Sequence, residues 1–235
     1  MISDLTIILQ GRCEIEQIKL WIENYSEWNV IISTWIDNNI PFNIPPNWKI
    51  IKSEYPERYA PFQNVDYQIT STLNALNLVQ TNYVLKVRAD EYWSNLYKIY
   101  DELNSDEKIL CGSMFFRPLD SPYPFHISDH ILFGTNDNMK KMFNKAKENL
   151  ILNLKDNNTP ESILGMAYVQ SKENYPIQMM FDICKNRNWD TYIKKWFDII
   201  DVNKLKPYIA TQKSADSRIY FHSNYTNCGC ITKLE

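Results

Sequence analysis

The fold that we expect for this chain is built around one stretch, Tyr83-Val84-Leu85-Lys86-Val87-Arg88-Ala89-Asp90-Glu91-Tyr92. It begins with the aliphatic and aromatic side chains of a buried strand and ends in charged ones. Lys86, Arg88 and Asp90 fall at every second position, and residues two apart project from the same face of a strand. Because unpaired charges are costly to bury, we expect this face to open onto a cleft, a metal or an ionic ligand. A salt-bridge cluster at the strand end is the alternative.

Composition and charge narrow the class of protein. The chain has 235 residues, 44% of them hydrophobic, which suits one large domain or two small ones. The net charge of -3 and the lack of a basic tail exclude a general nucleic-acid binder. No segment approaches the roughly 18 consecutive apolar residues of a membrane span. With no basic leader after Met1, we expect no signal peptide and a cytoplasmic protein whose five cysteines are reduced.

The residues before the quoted stretch predict alternating strands and helices. Apolar runs predict strands at 5–9 and 29–35, and helical spacing predicts a helix at 14–28. Strand, helix and strand with short connections predict parallel pairing. Ligands bind outside the carboxyl ends of such strands, so one rim should carry Gln10, Gly11, Ser33, Thr34 and Trp35. Gly11 as a plain turn and Trp35 as core are the alternatives.

The remaining segments complete an α/β pattern. A proline-rich loop at 41–61 holds a short strand at 48–51, and a helix at 64–79 leads into a strand at 83–90. Further along, we expect strands at 108–116 and 131–134, helices at 139–154 and 162–169, a strand followed by a loop at 175–189, and a helix at 189–200. The pattern predicts a mixed, mostly parallel sheet flanked by helices.

Several short blocks resemble the WavE lipopolysaccharide-synthesis family, in that family's order. Gln10-Gly11 looks like its QG, and Ile32-Ser33-Thr34-Trp35 is similar to its IST-W segment. Asn64, Gln68 and Ser71-Thr72 followed by residues 83–90 resemble its central block, and Ser128-Asp129-His130 with Leu132-Phe133-Gly134 resembles its SDH-x-x-FG segment. The blocks span residues 5–170. Two positions depart from the family pattern, since Tyr67 replaces an arginine and Arg12 replaces a small residue or proline.

This resemblance implies a glycosyltransferase with a GT-A-like (Rossmann-like) α/β fold. It implies one domain over residues 1–235, with a nucleotide-binding half at 1–100 and an acceptor-binding half at 101–235. The implied partners are a nucleotide-sugar donor and a glycan or lipid-linked acceptor, which would bring the protein to a membrane surface. The residues expected at the donor are Gln10, Gly11, Ser33, Trp35, Gln68, Lys86, Arg88 and Asp90. The sugar and the oligomeric state are left open.

The resemblance also implies a divalent cation. In GT-A enzymes an acidic motif at a strand end holds a metal on the donor diphosphate. Arg88-Ala89-Asp90 looks like a variant in which the first acid is arginine. Asp90 would ligate Mn²⁺ or Mg²⁺, with diphosphate oxygens and water completing the shell. His222 would return to the metal or to the diphosphate, and a structural histidine is the alternative. Alternatively, Lys86 and Arg88 neutralise the diphosphate without a metal.

Glycosyl transfer needs a carboxylate as well as cations. Negative charge grows on the leaving diphosphate, and an inverting reaction requires a base for the acceptor hydroxyl. Glu161 is the candidate base, and Asp129 is the candidate contact to the acceptor or the donor sugar. The alternatives are a helix start for Glu161, after Thr159 as N-cap and Pro160 at the first position, and a turn aspartate for Asp129.

Two rival functions belong to other classes. The first is a non-catalytic nucleotide- or sugar-binding domain on the same scaffold, because a fold does not determine function. The second is another nucleotide-sugar enzyme such as a nucleotidyltransferase. No glycine-rich phosphate loop of the G-x-G-x-x-G or G-x-x-x-x-G-K kind is present in the sequence, which argues against the second.

Overall fold

The computed structural model describes residues 2–40, 43–57, 64–114, 116, 123–151, 159–205 and 208–210. The strands are β1 (Leu5–Gln10), β2 (Asn29–Trp35), β3 (Trp48–Ser53), β4 (Tyr83–Arg88), β5 (Glu91–Trp93), β6 (Ile109–Gly112), β7 (Ile131–Thr135), β8 (Phe197–Ile200) and β9 (Tyr208–Ala210). The α-helices are α1 (Ile15–Tyr25), α2 (Val65–Leu76), α3 (Asn136–Ile151), α4 (Pro160–Glu173), α5 (Ile177–Lys185) and α6 (Asp190–Trp196). Three short 3₁₀ helices lie at Ile2–Asp4, Leu96–Glu102 and Val202–Leu205.

Seven strands form one twisted sheet in the order β3-β2-β1-β4-β7-β6-β8. The first four of these run parallel, β7 runs antiparallel to both of its neighbours, and β8 runs parallel to β6. β5 and β9 pair separately as an antiparallel ribbon. The structure confirms the predicted Rossmann-like α/β fold with a mixed, mostly parallel sheet flanked by helices.

The core occupies both faces of the sheet. Along β1, Ile7 and Leu9 belong to one apolar cluster and Ile8 belongs to the other. α1 covers the first face with Trp21, and α2 covers the second with Ile69, alongside α3 and α4. Strands buried on two faces read as continuous apolar runs rather than as alternating ones, which is why β1, β2 and β4 were recognisable in the sequence.

The following sequence-based assignments differ from the structure in a way that has a physical reason. The strand expected at 83–90 ends at Arg88, and a turn at residues 89–90 separates it from β5. The strand and loop expected at 175–189 are instead helix α5, because Met180 and Ile183, three residues apart, are its buried positions. The helix expected at 189–200 stops at Trp196. The next four residues form β8 because they pair with the edge of β6.

A glycine fixes how closely α4 approaches the loop before β7. A Cβ added at Gly165 would meet the main-chain carbonyl oxygen of Phe125 at a distance that real Cβ atoms do not show. Gly165→Ala should therefore destabilise the fold by about 1–3 kcal/mol, because backbone atoms cannot give way. Gly112→Ala is the control, since a Cβ there meets only the side chains of Val202 and Ile131, at 3.2 and 3.3 Å. Urea unfolding measures both changes, and equal losses would contradict the argument.

Candidate functional site

The site lies where the strand order reverses. The chain proceeds from β1 outward to β2 and β3, then crosses to place β4 on the other side of β1. At the carboxyl ends of these neighbouring strands Gln10 is paired with Arg88. In open α/β sheets this switch point is where ligands bind. A pocket of about 390 Å³ opens there, lined by Gln10, Gly11, Arg12, Glu14, Trp35, Asn64, Tyr67, Gln68, Arg88, Asp90, Asp129, His130, Pro160 and Glu161.

One rim of the pocket is the loop between β1 and α1. Gly11 has φ of +106°, a conformation that favours glycine, and its N–H donates to the Ser33 carbonyl oxygen at 2.9 Å. Asn38, three residues beyond the end of β2, holds this loop: its Oδ1 accepts from the Cys13 N–H at 2.7 Å and its Nδ2 donates to the Cys13 carbonyl oxygen at 3.3 Å. The loop is thus held in place where Arg12 meets the pocket.

The antiparallel direction of β7 supplies the opposite wall. Because Ile131 at the start of β7 pairs with Val87 near the end of β4, the preceding Asp129 and His130 arrive at the same edge of the sheet. Asp129 is buried, and its Oδ2 accepts a hydrogen bond from Nε2 of Gln68 in α2. Among the described residues the other oxygen, Oδ1, has no hydrogen-bond partner.

A buried cation lies beneath this wall. Lys86 is 0% exposed, does not line the pocket, and donates through Nζ to the main-chain carbonyl oxygen of Asp129. Burial lowers the pKa of Lys86, and the charge of Asp129 opposes that shift. Burial alone would raise the pKa of the Asp129 carboxyl, but the charges of Lys86, His130 and Arg88 hold it well below its usual range.

The end of β4 carries an ion pair. Arg88 Nε and Nη2 donate to the two carboxylate oxygens of Asp90 at 3.0 and 2.9 Å, and Nε lies 3.4 Å from Glu91 Oε1. The Arg88 side chain is 34% exposed and that of Asp90 is 21% exposed, so both can contact a ligand. Burial works against the charged guanidinium, but Asp90 and Glu91 raise the pKa of Arg88 overall.

Glu161 faces the pocket from the first turn of α4. Thr159 is the N-cap, with Oγ1 accepting from the Ser162 N–H at 3.2 Å, and Pro160 opens the helix, so the predicted helix start is confirmed. The Glu161 Oε2 lies 3.9 Å from His126 Nε2. Burial first, and then the charge of Asp129, raise the pKa of Glu161 to about 6. The same residue is therefore both a helix-start residue and a carboxylate adapted to proton transfer near neutral pH.

Aromatic rings close a further side of the pocket. The centroids of Trp35 and Tyr55 lie 4.8 Å apart, and Tyr67 lies 5.2 Å from each of them. Tyr55 Oη donates to Asp37 at 2.8 Å, and Asp37 also accepts from Arg12 at 3.1 Å. This network joins the aromatic wall to the β1–α1 rim, so the two surfaces form one continuous lining.

Most of the residues expected at the site from the sequence line this one pocket: Gln10, Gly11, Trp35, Gln68, Arg88, Asp90, Asp129 and Glu161. Ser33 does not line it, because it is fully buried with Oγ donating to the Ser71 carbonyl oxygen at 2.7 Å. Lys86 also lies below the surface rather than on it. His222 lies outside the described residues.

Several pocket residues were not expected from the sequence. Arg12 and Tyr67 were noted only as departures from a pattern, and His130 only as part of a block, yet all three line the pocket. Glu91, which is not a pocket residue, was overlooked because it directly follows Asp90. Alternation along a strand would place it on the opposite face from Lys86, Arg88 and Asp90. The signal that was available for Glu91 was an acidic residue inside an otherwise aromatic triplet, which is unusual for a buried strand.

The side chains at the pocket do not by themselves form a set of ligands suited to a divalent cation. In the ranges that the structure describes, no group of three or more His, Cys, Asp and Glu side chains is arranged to hold a metal ion. Both oxygens of Asp90 are already engaged by Arg88, whereas Mg²⁺ seeks about six oxygen ligands. The divalent cation at Asp90 stays a prediction.

Fold and pocket together define an α/β protein with a polar ligand site at the switch point of its sheet. The family model for WavE lipopolysaccharide synthesis matches residues 23–151, more than half of the chain, and the chain belongs to this family. Membership indicates a role in lipopolysaccharide synthesis. A search of curated proteins found no match. Of the helices in the described ranges, none combines the length and the apolar character needed to cross a membrane.

Proposed function

We propose that the protein is a glycosyltransferase of GT-A-like type, which moves a sugar from a nucleotide-sugar donor to a glycan or lipid-linked acceptor in lipopolysaccharide synthesis. One observation carries the proposal. Glu161, a carboxylate whose pKa is raised to about 6, lines the same switch-point pocket as Arg88 and Trp35. An inverting transfer from a nucleotide-sugar uses a base and a cation, and an aromatic face suits the nucleobase or a sugar ring.

The donor is bound by aromatic and cationic groups. The faces of Trp35 and Tyr67 suit a nucleobase or a sugar ring. Arg12 and Arg88 are the cations that line the described pocket, and they are paired with Asp37 and Asp90 respectively. Phosphate oxygens take over part of this pairing when the donor binds, because a guanidinium holds a phosphate through two parallel hydrogen bonds.

The reaction is a single displacement with inversion. Glu161 takes the proton of the acceptor hydroxyl as its oxygen forms a bond to the anomeric carbon of the donor sugar. The bond from that carbon to the diphosphate oxygen breaks, and its electron pair leaves with the diphosphate. Arg88 stabilises the charge that grows on this oxygen. Asp129, which lines the same pocket with a side chain that is 8% exposed, is the contact to the acceptor or the donor sugar.

A second candidate function is a non-catalytic sugar- or nucleotide-binding domain. The bidentate pair of Arg88 and Asp90 favours it, because the two side chains satisfy each other as a structural ion pair would. Against it, Asp90 lines the pocket and is partly exposed.

A thermal-shift panel tests whether a donor binds. The protein is heated with UDP-, GDP-, CMP- and dTDP-sugars, each with Mn²⁺, Mg²⁺ or EDTA. A donor at 100 times its Kd should stabilise the fold by roughly 2.7 kcal/mol, which raises the Tm by roughly 5–10 °C. Arg88→Lys should lose most of this shift, because lysine lacks the planar fork, and Arg187→Lys at an exposed position should keep it.

The outcomes separate the candidate functions. A shift that depends on Arg88, together with sugar transfer or slow donor hydrolysis, supports the glycosyltransferase. Binding without either reaction supports the non-catalytic domain. No shift with any donor contradicts nucleotide-sugar binding by this pocket, and a shift that EDTA removes would show that a metal takes part.

A further inference from the structure

A serine in α2 holds the side chain of Gln10 at the end of β1. Ser71 is 0% exposed, and its Oγ accepts a hydrogen bond from Gln10 Nε2 at 3.0 Å. The Ser71 carbonyl oxygen accepts from Ser33 Oγ at 2.7 Å, and Ser33 is the residue of β2 that pairs with Gln10. The helix, the two strand ends and the Gln10 carboxamide are therefore fixed relative to one another.

The hydroxyl of Ser71 determines which way round the carboxamide lies. A serine has one hydroxyl proton. Ser71 Oγ donates it to the preceding helical turn, where the carbonyl oxygens of Tyr67 and Gln68 lie at 2.8 and 3.3 Å. Towards Gln10, this oxygen can then only accept. A carboxamide turned the other way would place its own oxygen against an oxygen that has no proton to donate, and two acceptors in contact repel each other.

The oxygen of the same carboxamide is open to the pocket. Gln10 lines the pocket and is partly exposed. Within the described ranges Gln10 Oε1 accepts no hydrogen bond, and it is not one of the side-chain oxygens that are buried without a partner. Gln10 Oε1 is therefore an acceptor that a ligand can reach, and Ser71 fixes its orientation.

The strand order places Gln10 between the aromatic wall and the guanidinium of Arg88. β1 lies between β2, which ends at Trp35, and β4, which ends at Arg88. Under the proposed function, the base of the donor packs on Trp35 and Tyr67, and the diphosphate meets Arg88. The ribose of a nucleoside diphosphate joins these two parts, so it lies over the end of β1. Its hydroxyl groups are the hydrogen-bond donors that an amide oxygen accepts.

We propose that Ser71 is a positioning residue that orients the Gln10 carboxamide, so that Gln10 Oε1 accepts a hydrogen bond from a ribose hydroxyl of a nucleoside diphosphate. The identity of the ligand as a nucleotide rests on the proposed function. One neutral hydrogen bond changes an affinity by about three- to tenfold. The contact makes the pocket prefer a ribonucleotide to a deoxynucleotide, and Ser71 supports this preference without touching the ligand.

Deoxynucleotides test the contact. The Kd values of UDP, GDP and CDP are measured by calorimetry on the full chain, together with those of the 2′-deoxy and 3′-deoxy forms of each. In the wild type, the loss of one of the two hydroxyls should weaken binding by about three- to tenfold. Gln10→Met, which keeps the length of the side chain, and Ser71→Ala should weaken the ribonucleotide by a similar factor. Both variants should bind that deoxy form as the wild type does, because its hydroxyl is already missing.

Two further variants control for general effects. Ser171→Ala removes a hydroxyl that also donates to a carbonyl oxygen of its own helix, that of Tyr168 at 2.8 Å, but Ser171 does not line the pocket. Gln178→Met changes an exposed glutamine of α5. Both should keep every Kd within about twofold of the wild type. The double variant Gln10→Met, Ser71→Ala should bind no more weakly than Gln10→Met, because Ser71 acts through Gln10.

Three results would overturn the proposal. The first is a Gln10→Met variant that binds every ribonucleotide as tightly as the wild type does. The second is an equal loss of affinity for the ribonucleotide and both deoxy forms with the preference among bases kept, which would show that the two residues have a structural role only. The third is an equal loss in which a preference for UDP or GDP over CDP disappears, which would assign Gln10 Oε1 to a ring N–H of the base.

The proposed function can fail separately. If no nucleoside diphosphate and no nucleotide-sugar binds, nucleotide-sugar transfer and the ribose contact are both overturned. If sugar transfer is observed but Gln10→Met keeps the wild-type Kd values, the transferase stands and the inference about Ser71 fails. Where transfer is observed, Ser71→Ala should raise the KM for the donor by about three- to tenfold and change kcat less than twofold.

Discussion

Glu161→Gln should lower the kcat of sugar transfer by roughly 10²–10⁴-fold, the usual contribution of a general base. The amide keeps the shape of the side chain but cannot accept the proton of the acceptor hydroxyl. In the wild type, kcat should fall as the pH drops below about 6, because the carboxyl is then protonated. Initial rates measured across this range with the donor identified by thermal shift provide the test. Glu173→Gln should leave both the rate and its pH profile unchanged.

The same substitution should stabilise the fold. The pKa of Glu161 is raised from 4.5 to about 6, so the folded state holds this proton more tightly than the unfolded state does. The resulting stabilisation is present at low pH and is lost as the pH rises through about 6, which amounts to about 2 kcal/mol. Above that pH, Glu161→Gln should therefore have the larger free energy of unfolding, by up to about 2 kcal/mol.

Urea unfolding at about pH 4 and about pH 7.5 measures this difference. The variant and the wild type should differ little at the lower pH, where the wild-type carboxyl is protonated. A variant that retains more than a tenth of kcat would show that Glu161 is not the base. A variant that is less stable than the wild type at both pH values would show that the carboxylate is needed for folding instead.

Lys86→Met should destabilise the protein by about 3–5 kcal/mol, the cost of removing one of two opposite charges that are buried near each other. Lys86 is fully buried, and its Nζ donates to the Asp129 main-chain carbonyl oxygen and lowers the pKa of the Asp129 carboxyl. Methionine fills similar space but leaves that carboxylate without its main counter-charge. The double variant Lys86→Met, Asp129→Asn should recover part of the loss, because the uncompensated charge is then gone.

Lys108→Met is the control for this substitution. Lys108 Nζ lies 3.0 Å from Asp198 Oδ1, but its side chain is 24% exposed, so water replaces the lost ion pair. A loss of about 1 kcal/mol or less is expected. Denaturant unfolding of the three variants and the wild type measures both effects. Equal small losses for Lys86→Met and Lys108→Met would indicate that Lys86 is buried without a charge.

The fold could be predicted where local pattern and tertiary environment agree. β2 was expected at residues 29–35 and has those bounds, because the buried apolar run at 30–32 marks the strand and polar residues follow only near its end. β8 could not be predicted in the same way. Its four residues continue a helix-like sequence, and they become a strand only because Phe197 pairs with Ile109, far back in the chain.

The sequence allowed us to predict which polar residues lie at the candidate site, but not which of them contact each other. Arg88, Asp90 and Asp129 stand out as charges beside apolar strands. The burial of Lys86 and the contact of Glu91 with His130 depend on β7 running antiparallel, which periodicity does not show. Alternation placed Lys86 and Arg88 on one face, but the turn after Arg88 brings Asp90 back onto the guanidinium instead of continuing the row.

The position of β1 between β2 and β4 determines when the protein becomes competent to bind during its synthesis. β1 is synthesised before the other strands of the sheet, but its neighbour β4 begins only at Tyr83, and Glu161 completes the pocket later still. Closing such long loops is entropically unfavourable, and distant strand pairing is slow. A nascent chain that ends before Pro160 has the strands of the site without its base. The ability to bind a ligand should therefore appear late in synthesis and in one step. The amount of ligand bound then measures the fraction of molecules that are completely folded.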